Sequence, residues 1–167
     1  IYNANLSLNN NMKCRWTKPQ KNKVKLLITY QNINEIILEE TCVVRSVNPI
    51  SGDKTGFVLK DKLQDIHLEL DLDHFYFWNQ SPCGGEIVLE GRANKFMFWS
   101  TALIRVDASK LNCFNVIMET NTRADSYIRA TNTLECRIRH LGNVYYYGNP
   151  TEIILKREGE GQLFKAD

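Results

Sequence analysis

The chain has 167 residues, with 21 Lys and Arg against 19 Asp and Glu and a formal net charge of +2. This length fits one domain with a sizeable core, and the evenly mixed charges exclude the concentrated basic stripe that nucleic acid binding requires. The basic cluster between Lys13 and Lys25 is interrupted by Pro19 and Gln20, so we interpret it as a solvated segment rather than a site for an anionic partner.

The predicted elements begin with a polar, Asn-rich segment over residues 1–22, which we expect to cap or lead into the core. Strand-length alternations of apolar and polar residues follow it, at 24–28, 66–73, 87–89, 104–108, 126–130 and 134–138. The longest places Ile66, Leu68, Leu70 and Leu72 on one strand face. Turn-forming residues lie between the strands, including Ser51-Gly52-Asp53 and Gly84-Gly85. Because no segment carries an apolar stripe of helical period, the sequence predicts an all-β fold.

Recurring sequence segments help to distinguish a β-solenoid from an antiparallel β-sandwich. Leu111-Asn112-Cys113 reappears as Leu134-Glu135-Cys136 after 23 residues, and Ala93 precedes Leu111 by 18. Such recurrence is typical of stacked coils, whereas an antiparallel sandwich would favour Asn-Gly or Asp-Gly hairpin turns, which are absent here. We therefore predict a right-handed parallel β-helix, or β-solenoid, single-stranded, with coils of roughly 18–23 residues over 24–164. The prediction is one domain, 1–167, whose tail, 158–167, closes the last coil.

The five cysteines are widely spaced, and an odd number cannot pair completely within one chain. They are Cys14, Cys42, Cys83, Cys113 and Cys136. The absence of a Cys-x-x-Cys motif argues against a zinc site or a redox pair. Cys113 and Cys136 are flanked by apolar residues, so we expect both to face the core as small hydrophobic side chains, with a disulfide between coils as the alternative.

Several sequence pieces resemble a known family in their order and spacing. They are 24–30, 84–91, 106–111, 134–138 and 142–150, and the most specific is Tyr146-Tyr147-Gly148-Asn149-Pro150. The chain resembles the auto-transporter adhesin (head GIN domain) family of envelope-associated bacterial proteins. The resemblance implies a right-handed parallel β-helix that is exported, sometimes lipid-anchored, and without established catalytic residues. The corners 119–122 and 139–142 depart from the Gly-Ser-Gly-like pattern of the family.

Paired carboxylates are one candidate for chemistry, because some β-helices cleave polysaccharides with clustered Asp residues that act as acid and base. Asp71 and Asp73 lie on one predicted strand face, and Asp107 and Asp125 lie near predicted corners. Neither Asp107 nor Asp125 has a neighbouring His or Arg in the pattern of those enzymes. We interpret these carboxylates as solvated or turn-forming groups, and we predict no catalytic residues.

A metal site has less support in the sequence. His67, Glu69, Asp71 and Asp73 share one strand face, but adjacent members of this row are about 7 Å apart, too far to share one ion without another strand. The other histidines, His74 and His140, are scattered. We predict neither metal ligands nor a cofactor.

Aromatic side chains are the better candidates for a binding surface. The runs 75–78 and 96–99 are offset by 21 residues, so Trp78 and Trp99 should be neighbours on adjacent coils. Tyr145, Tyr146 and Tyr147 form a further patch. These rings either fill the core and corners or form an exposed platform for a sugar or a protein. The candidate ligand-binding residues are Trp78, Trp99, Tyr145 and Tyr147.

The function that these observations favour is a non-enzymatic, exported binding or adhesion module of the bacterial cell envelope. The alternatives are a carbohydrate-active β-helix enzyme and a self-assembling structural or signalling head domain. The expected partner is a glycan, an envelope protein or a second copy of the chain, and not nucleic acid. No apolar stretch approaches the roughly 18 residues of a membrane span. We expect the protein to be located in the periplasm or at the cell surface. Export would use an N-terminal signal that is removed, with lipid anchoring as an option.

Overall fold

The computed structural model describes residues 6–8, 25–60, 63–79 and 83–167, and it divides the chain into two compact units, Ile1–Gln31 and Asn32–Asp167. In the first unit the described residues 25–30 form no strand, and Leu26, Leu27 and Ile28 are exposed. The strand predicted over 24–28 is therefore wrong for its described part, because these apolar side chains are not buried by a neighbouring strand. The predicted cap, 1–22, lies outside the described residues except for 6–8.

The second unit is a parallel β-solenoid of about 6 turns. Its described part contains nine strands. They are β1 (Glu35–Leu38), β2 (Cys42–Arg45), β3 (Ile50–Leu59), β4 (Leu63–Asn79), β5 (Gly84–Thr122), β6 (Ser126–Ile138), β7 (Val144–Tyr147), β8 (Glu152–Arg157) and β9 (Leu163–Lys165). The strands pair in parallel, with each strand lying on the equivalent strand of the previous coil. The predicted β-solenoid is confirmed.

The coil length changes along the chain. Leu63 of β4 pairs with Gly84 of β5, an offset of 21 residues, whereas Leu134 of β6 pairs with Ile153 of β8, an offset of 19. The repeat predicted from Leu111-Asn112-Cys113 and Leu134-Glu135-Cys136 is wrong. Cys113 pairs with Ala130 and Cys136 with Met118, at offsets of 17 and 18, and the register shifts on both sides of Cys113. Every coil places apolar residues at several interior positions, so similar triplets recur without being equivalent.

Two predicted turns lie inside strands. Ser51-Gly52-Asp53 belongs to β3, and Gly84-Gly85 begins β5, which is 39 residues long. The strand follows the corners of the coil without leaving the hydrogen-bonded ladder. At Gly85 the backbone φ is +129°, and a Cβ atom would lie 1.9 Å from the carbonyl oxygen of Gln64, so only glycine is accommodated. The residue types indicated a bend correctly, but the strands do not end there: pairing skips only Asp53 at the first bend and continues through Gly84 and Gly85 at the second.

The core is the interior of the coils. Leu68, Leu89 and Ile138 are at most 1% exposed, as the alternation predicts. The described cysteines Cys42, Cys113 and Cys136 are free thiols, and Cys83, Cys113 and Cys136 are buried. The prediction that Cys113 and Cys136 face the core is confirmed. Burial raises the pKa of the Cys136 thiol to about 12, so it remains protonated as a small hydrophobic side chain.

The tail does not close the last coil. Ile153 and Leu155 of β8 pair with the buried Leu134 and Cys136, yet their side chains are 42% and 46% exposed. The chain instead continues along the winding, and β9 adds a strand to β7. The prediction that residues 158–167 cover the end is therefore wrong, because the tail extends another side of the coil rather than crossing over β8.

Candidate ligand-binding groove

A groove with a volume of about 650 Å³ crosses successive coils of the second unit. Two rows of outward side chains form its walls, and a line of small or inward-facing residues forms its floor. The first row is Ser51, Asp71, Arg92 and Asn112, the second is Asp53, Asp73, Asn94 and Phe114, and the floor is Gly52, Leu72, Ala93 and Cys113. In-register pairing of β3, β4 and β5 creates these rows, since Ser51 pairs with Asp71 and Asp71 with Arg92. We call this feature the groove.

The walls carry planar polar groups held by one another. The Arg92 guanidinium donates from Nε to Oδ1 of Asp71 and from Nη2 to Oδ2 at 3.1 Å. This hydrogen bonding lowers the pKa of Asp71, so its carboxylate stays ionised. Asn94 Nδ2 donates to Asp73 Oδ1 at 2.6 Å. Because a guanidinium has five N–H donors and Asp71 occupies two, the pair keeps hydrogen-bonding capacity for a ligand.

The floor and the far wall leave room for apolar contact. A Cβ atom at Gly52 would meet nothing within 4 Å, so this end of the floor is open. Phe114 is 53% exposed on the wall opposite the Asp71–Arg92 pair. The lining carries three carboxylates, Asp53, Asp71 and Asp73, against the single guanidinium of Arg92, so its net charge is negative.

Sequence reasoning considered Asp71 and Asp73 as paired carboxylates on one strand face but interpreted them as solvated groups, and it did not single out Arg92, Asn94 or Phe114. The signal for the first two was available: the offset of 21 residues that relates Trp78 to Trp99 also relates Asp71 to Arg92. Phe114 carries no comparable signal, because the earlier members of its row, Asp53, Asp73 and Asn94, are not aromatic.

Trp78 and Trp99 are paired neighbours on β4 and β5, as predicted. Phe75 and Phe77 point into the core, so alternation directs Trp78 outward. Trp78 is half-buried and Trp99 is 36% exposed. Neither tryptophan lines the groove. Their role as ligand-binding residues stays a prediction, and it concerns a surface separate from the groove.

Tyr145 and Tyr147 lie on β7, away from both the groove and the tryptophan pair. Tyr145 stacks between Tyr127 and Phe164, with ring centroids 5.1 and 5.4 Å apart. We call these three rings the tyrosine column. The guanidinium of Arg105 lies 5.2 Å from the ring centroid of Tyr127 and covers its other face. Stacking turns the ring faces toward one another, so the column offers mainly ring edges and hydroxyls to a ligand.

The tyrosine patch has a second cation–π contact. The guanidinium of Arg129 lies 5.4 Å from the Tyr147 ring centroid. Tyr145 and Tyr147 remain predicted ligand-binding residues, with their ring faces engaged by their own neighbours.

The remaining candidate acids do not join the groove. Asp107 accepts hydrogen bonds from the backbone N and Oγ of Ser109, at 3.1 and 2.7 Å, and Asp125 accepts one from the backbone N of Asn143 at 2.8 Å. Both carboxylates therefore fix local backbone, as a turn-forming role requires. Among the residues that the structure describes, no three His, Cys, Asp or Glu side chains are placed to hold a metal ion.

The architecture defines a class: a parallel β-solenoid that displays rows of side chains along an open groove. The chain belongs to the family described as "Putative auto-transporter adhesin, head GIN domain", which matches residues 1–150. The resemblance stated from the sequence is thus confirmed. Within the described ranges, no helix has the length and apolar character needed to cross a membrane.

A solved structure has the same fold. The crystal structure of a putative adhesin from Bacteroides fragilis NCTC 9343 is similar, with a TM-score of 0.72 and 20% sequence identity. The match covers 80% of this chain and 60% of that one, so the chain spans 60% of the length of its structural relative. Comparison with curated proteins finds no match.

Proposed function

We propose that this protein is a non-enzymatic, exported adhesion module of the bacterial cell envelope that binds a neutral saccharide in the groove. The observation that carries the proposal is the presence of hydrogen-bonding Asp71, Arg92 and Asn94 and of an exposed Phe114 in one open groove. Membership of an adhesin family, together with a fold shared with the Bacteroides fragilis protein, supports adhesion as the biological role.

The lining suits the chemistry of a sugar. Saccharide hydroxyls both donate and accept hydrogen bonds, and the carboxylates of Asp71 and Asp73 accept while Arg92 and Asn94 donate. The C–H face of a pyranose ring is apolar and packs against an aromatic ring such as that of Phe114. Ligand sites commonly combine apolar contact with a few well-placed polar groups, in volumes of about 300–1,000 Å³.

The charge of the groove selects among saccharides. Three carboxylates against one guanidinium repel polyanions, so sulfated or uronic-acid-rich glycans are disfavoured. The same repulsion disfavours nucleic acid. Neutral sugars can form the same hydrogen bonds with the groove without electrostatic repulsion, so we expect neutral sugars as ligands.

Binding fits the groove better than hydrolysis does. A general acid needs a raised pKa in order to hold its proton near neutral pH, whereas hydrogen bonding from Arg92 lowers the pKa of Asp71. Asp107 and Asp125, the other acids considered for catalysis, bond to backbone outside the groove. The proposal is accordingly a binding module rather than a glycosidase or lyase.

A glycan array tests the proposal, with turnover followed for every saccharide retained. We expect retention of neutral saccharides without cleavage, and an affinity at least about 10-fold weaker for Phe114→Ala, since an aromatic contact dominates a small site. Trp99→Ala is the matched control, because its ring is exposed outside the groove. Cleavage of a hit would contradict the proposal, and so would loss of binding in Trp99→Ala with full binding in Phe114→Ala.

A further inference from the structure

The C-terminal end of the solenoid exposes core-type residues beside a strand edge. β8 pairs with β6 on one side, and all six of its residues are exposed. Ile153 and Leu155 continue interior columns that are fully buried one coil earlier, at Leu134 and Cys136. In the described part of the chain, β8 has β6 as its strand partner and nothing on its other edge. Such an edge is a template for another strand.

The sequence of β8, Glu152-Ile153-Ile154-Leu155-Lys156-Arg157, is complementary to itself. In an antiparallel pair centred on Ile154, Glu152 lies opposite Lys156 of the second strand, and Ile153 lies opposite Leu155. Glu152, Ile154 and Lys156 share the outward face, because Ile153 and Leu155 pair with inward residues of β6. Opposite charges therefore meet on the outer face and aliphatic side chains meet on the inner face.

We propose that β8 binds β8 of a second copy of this chain in that antiparallel register, joining two solenoids end to end. Backbone hydrogen bonds across the new pair satisfy the free edge, and the paired Ile153 and Leu155 side chains cover the open core. The contact is isologous, so it closes at two copies instead of growing into a fibre. The resulting pair carries two grooves, which raises the avidity for a repeated ligand. The pairing does not depend on the ligand of the groove.

Charge reversal tests the register. Sedimentation velocity of the 167-residue chain should show a concentration-dependent dimer. Glu152→Lys and Lys156→Glu should each weaken it at least about 10-fold, because like charges then face each other across the strands. Lys156 also forms an ion pair with Glu158 of its own chain, at 3.0 Å, so the double variant Glu152→Lys/Lys156→Glu should recover most, rather than all, of the lost affinity. Glu69→Lys, an exposed reversal on β4, is the matched control and should leave the dimer unchanged.

A cysteine placed on the symmetry axis provides a test that does not depend on charge. Residue 154 lies opposite itself, so Ile154→Cys should form a disulfide-linked dimer under mild oxidation, whereas Glu152→Cys should not. A chain that stays monomeric up to about 1 mM would overturn the proposal and indicate that another polypeptide covers this edge. A dimer insensitive to both single reversals, or one that the double variant fails to restore, would also overturn it.

Discussion

The groove and the tyrosine column are built from the same element, strands stacked in parallel register, yet they leave different surfaces for a ligand. In the column, Tyr145 packs between two aromatic neighbours, and Arg105 covers Tyr127. In the groove, most wall side chains are polar and pair at their tips, as Asn94 does with Asp73 and Arg92 with Asp71, and the floor includes Gly52 and Ala93.

This difference shows which parts of the outer surface of a solenoid can contact a ligand. Successive coils lie about 4.8 Å apart, close to the separation of stacked rings, so aromatic residues at matching positions use their faces on one another. The floor residues between the two rows are Gly52 and the inward-facing Leu72, Ala93 and Cys113, so no floor side chain fills the space between the walls. A row of outward side chains is therefore available to a ligand where those side chains do not pack against one another. The number of aromatic residues in a row does not by itself identify a ligand site.

The largest expected effect comes from breaking the scaffold that both regions share. Leu68 is 1% exposed, so Leu68→Asp buries an unpaired carboxylate and should cost about 4 kcal/mol or more, enough to unfold the chain. Glu69→Lys, one residue away and exposed, should stay within about 0.5 kcal/mol of wild type. Urea denaturation followed by circular dichroism measures both. Equal stability of the two variants would mean that Leu68 is not an interior residue.

A second comparison separates packing from exposure. Tyr145→Ala removes two stacking contacts and should lower the free energy of unfolding by about 2 kcal/mol. Phe114→Ala removes a ring that is 53% exposed and should cost less than about 1 kcal/mol. The same urea titrations give both values. A larger loss in Phe114→Ala than in Tyr145→Ala would reverse the roles assigned to the two regions.

Arg92 should affect the groove without affecting the column. Arg92→Ala leaves the carboxylate of Asp71 without its donor and should weaken saccharide binding by about 1–3 kcal/mol. Arg92→Lys should recover little of this loss, because an ammonium cannot reproduce the two-pronged contact. Calorimetric titration with an array hit measures both variants. If Arg92→Ala bound the saccharide with wild-type affinity, the Arg92 guanidinium would not be part of the binding site.

The smallest expected effect is the response to pH. The pKa of Asp71 is lowered from 3.8, chiefly by its hydrogen bonds from Arg92. A lowered pKa means that the pair is intact above the unfolded value and is lost as pH falls through the folded one. Saccharide affinity should therefore be constant from about pH 7 to 5 and should fall only below about pH 4. An affinity that changes between about pH 5 and 7 would require a different titrating group.

Sequence alone predicted the parts of this molecule that depend on local alternation. The run from Ile66 to Asp73 assigned faces correctly because inward and outward positions alternate strictly within a strand. The spacing of Trp78 and Trp99 predicted adjacent coils correctly. Both inferences rest on residues close in sequence or separated by one regular coil.

The features that the sequence did not predict depend on the register between coils and on the geometry of the corners. Gly84-Gly85 was predicted to be a turn between strands, but Gly85 lies within β5 and pairs with the previous coil. Its positive backbone φ forms the corner without ending the strand. The shorter coils after Cys113 changed the expected offset between Cys113 and Cys136. Phe114 was missed because no aromatic residue lies at the matching position of the earlier coils in the groove. The groove itself could not be read from one segment, because it forms where Gly52 and the inward-facing Leu72, Ala93 and Cys113, which lie far apart in the chain, stack between two outward rows.

One titration tests the central claim most directly. A neutral saccharide retained on the array should be titrated calorimetrically into two double variants, Arg92→Ala/Phe114→Ala and Trp78→Ala/Trp99→Ala. We predict that the groove variant loses measurable binding while the tryptophan variant stays within about 2-fold of wild type, a difference of less than about 0.5 kcal/mol. Binding that survives in the groove variant and disappears in the tryptophan variant would contradict this prediction.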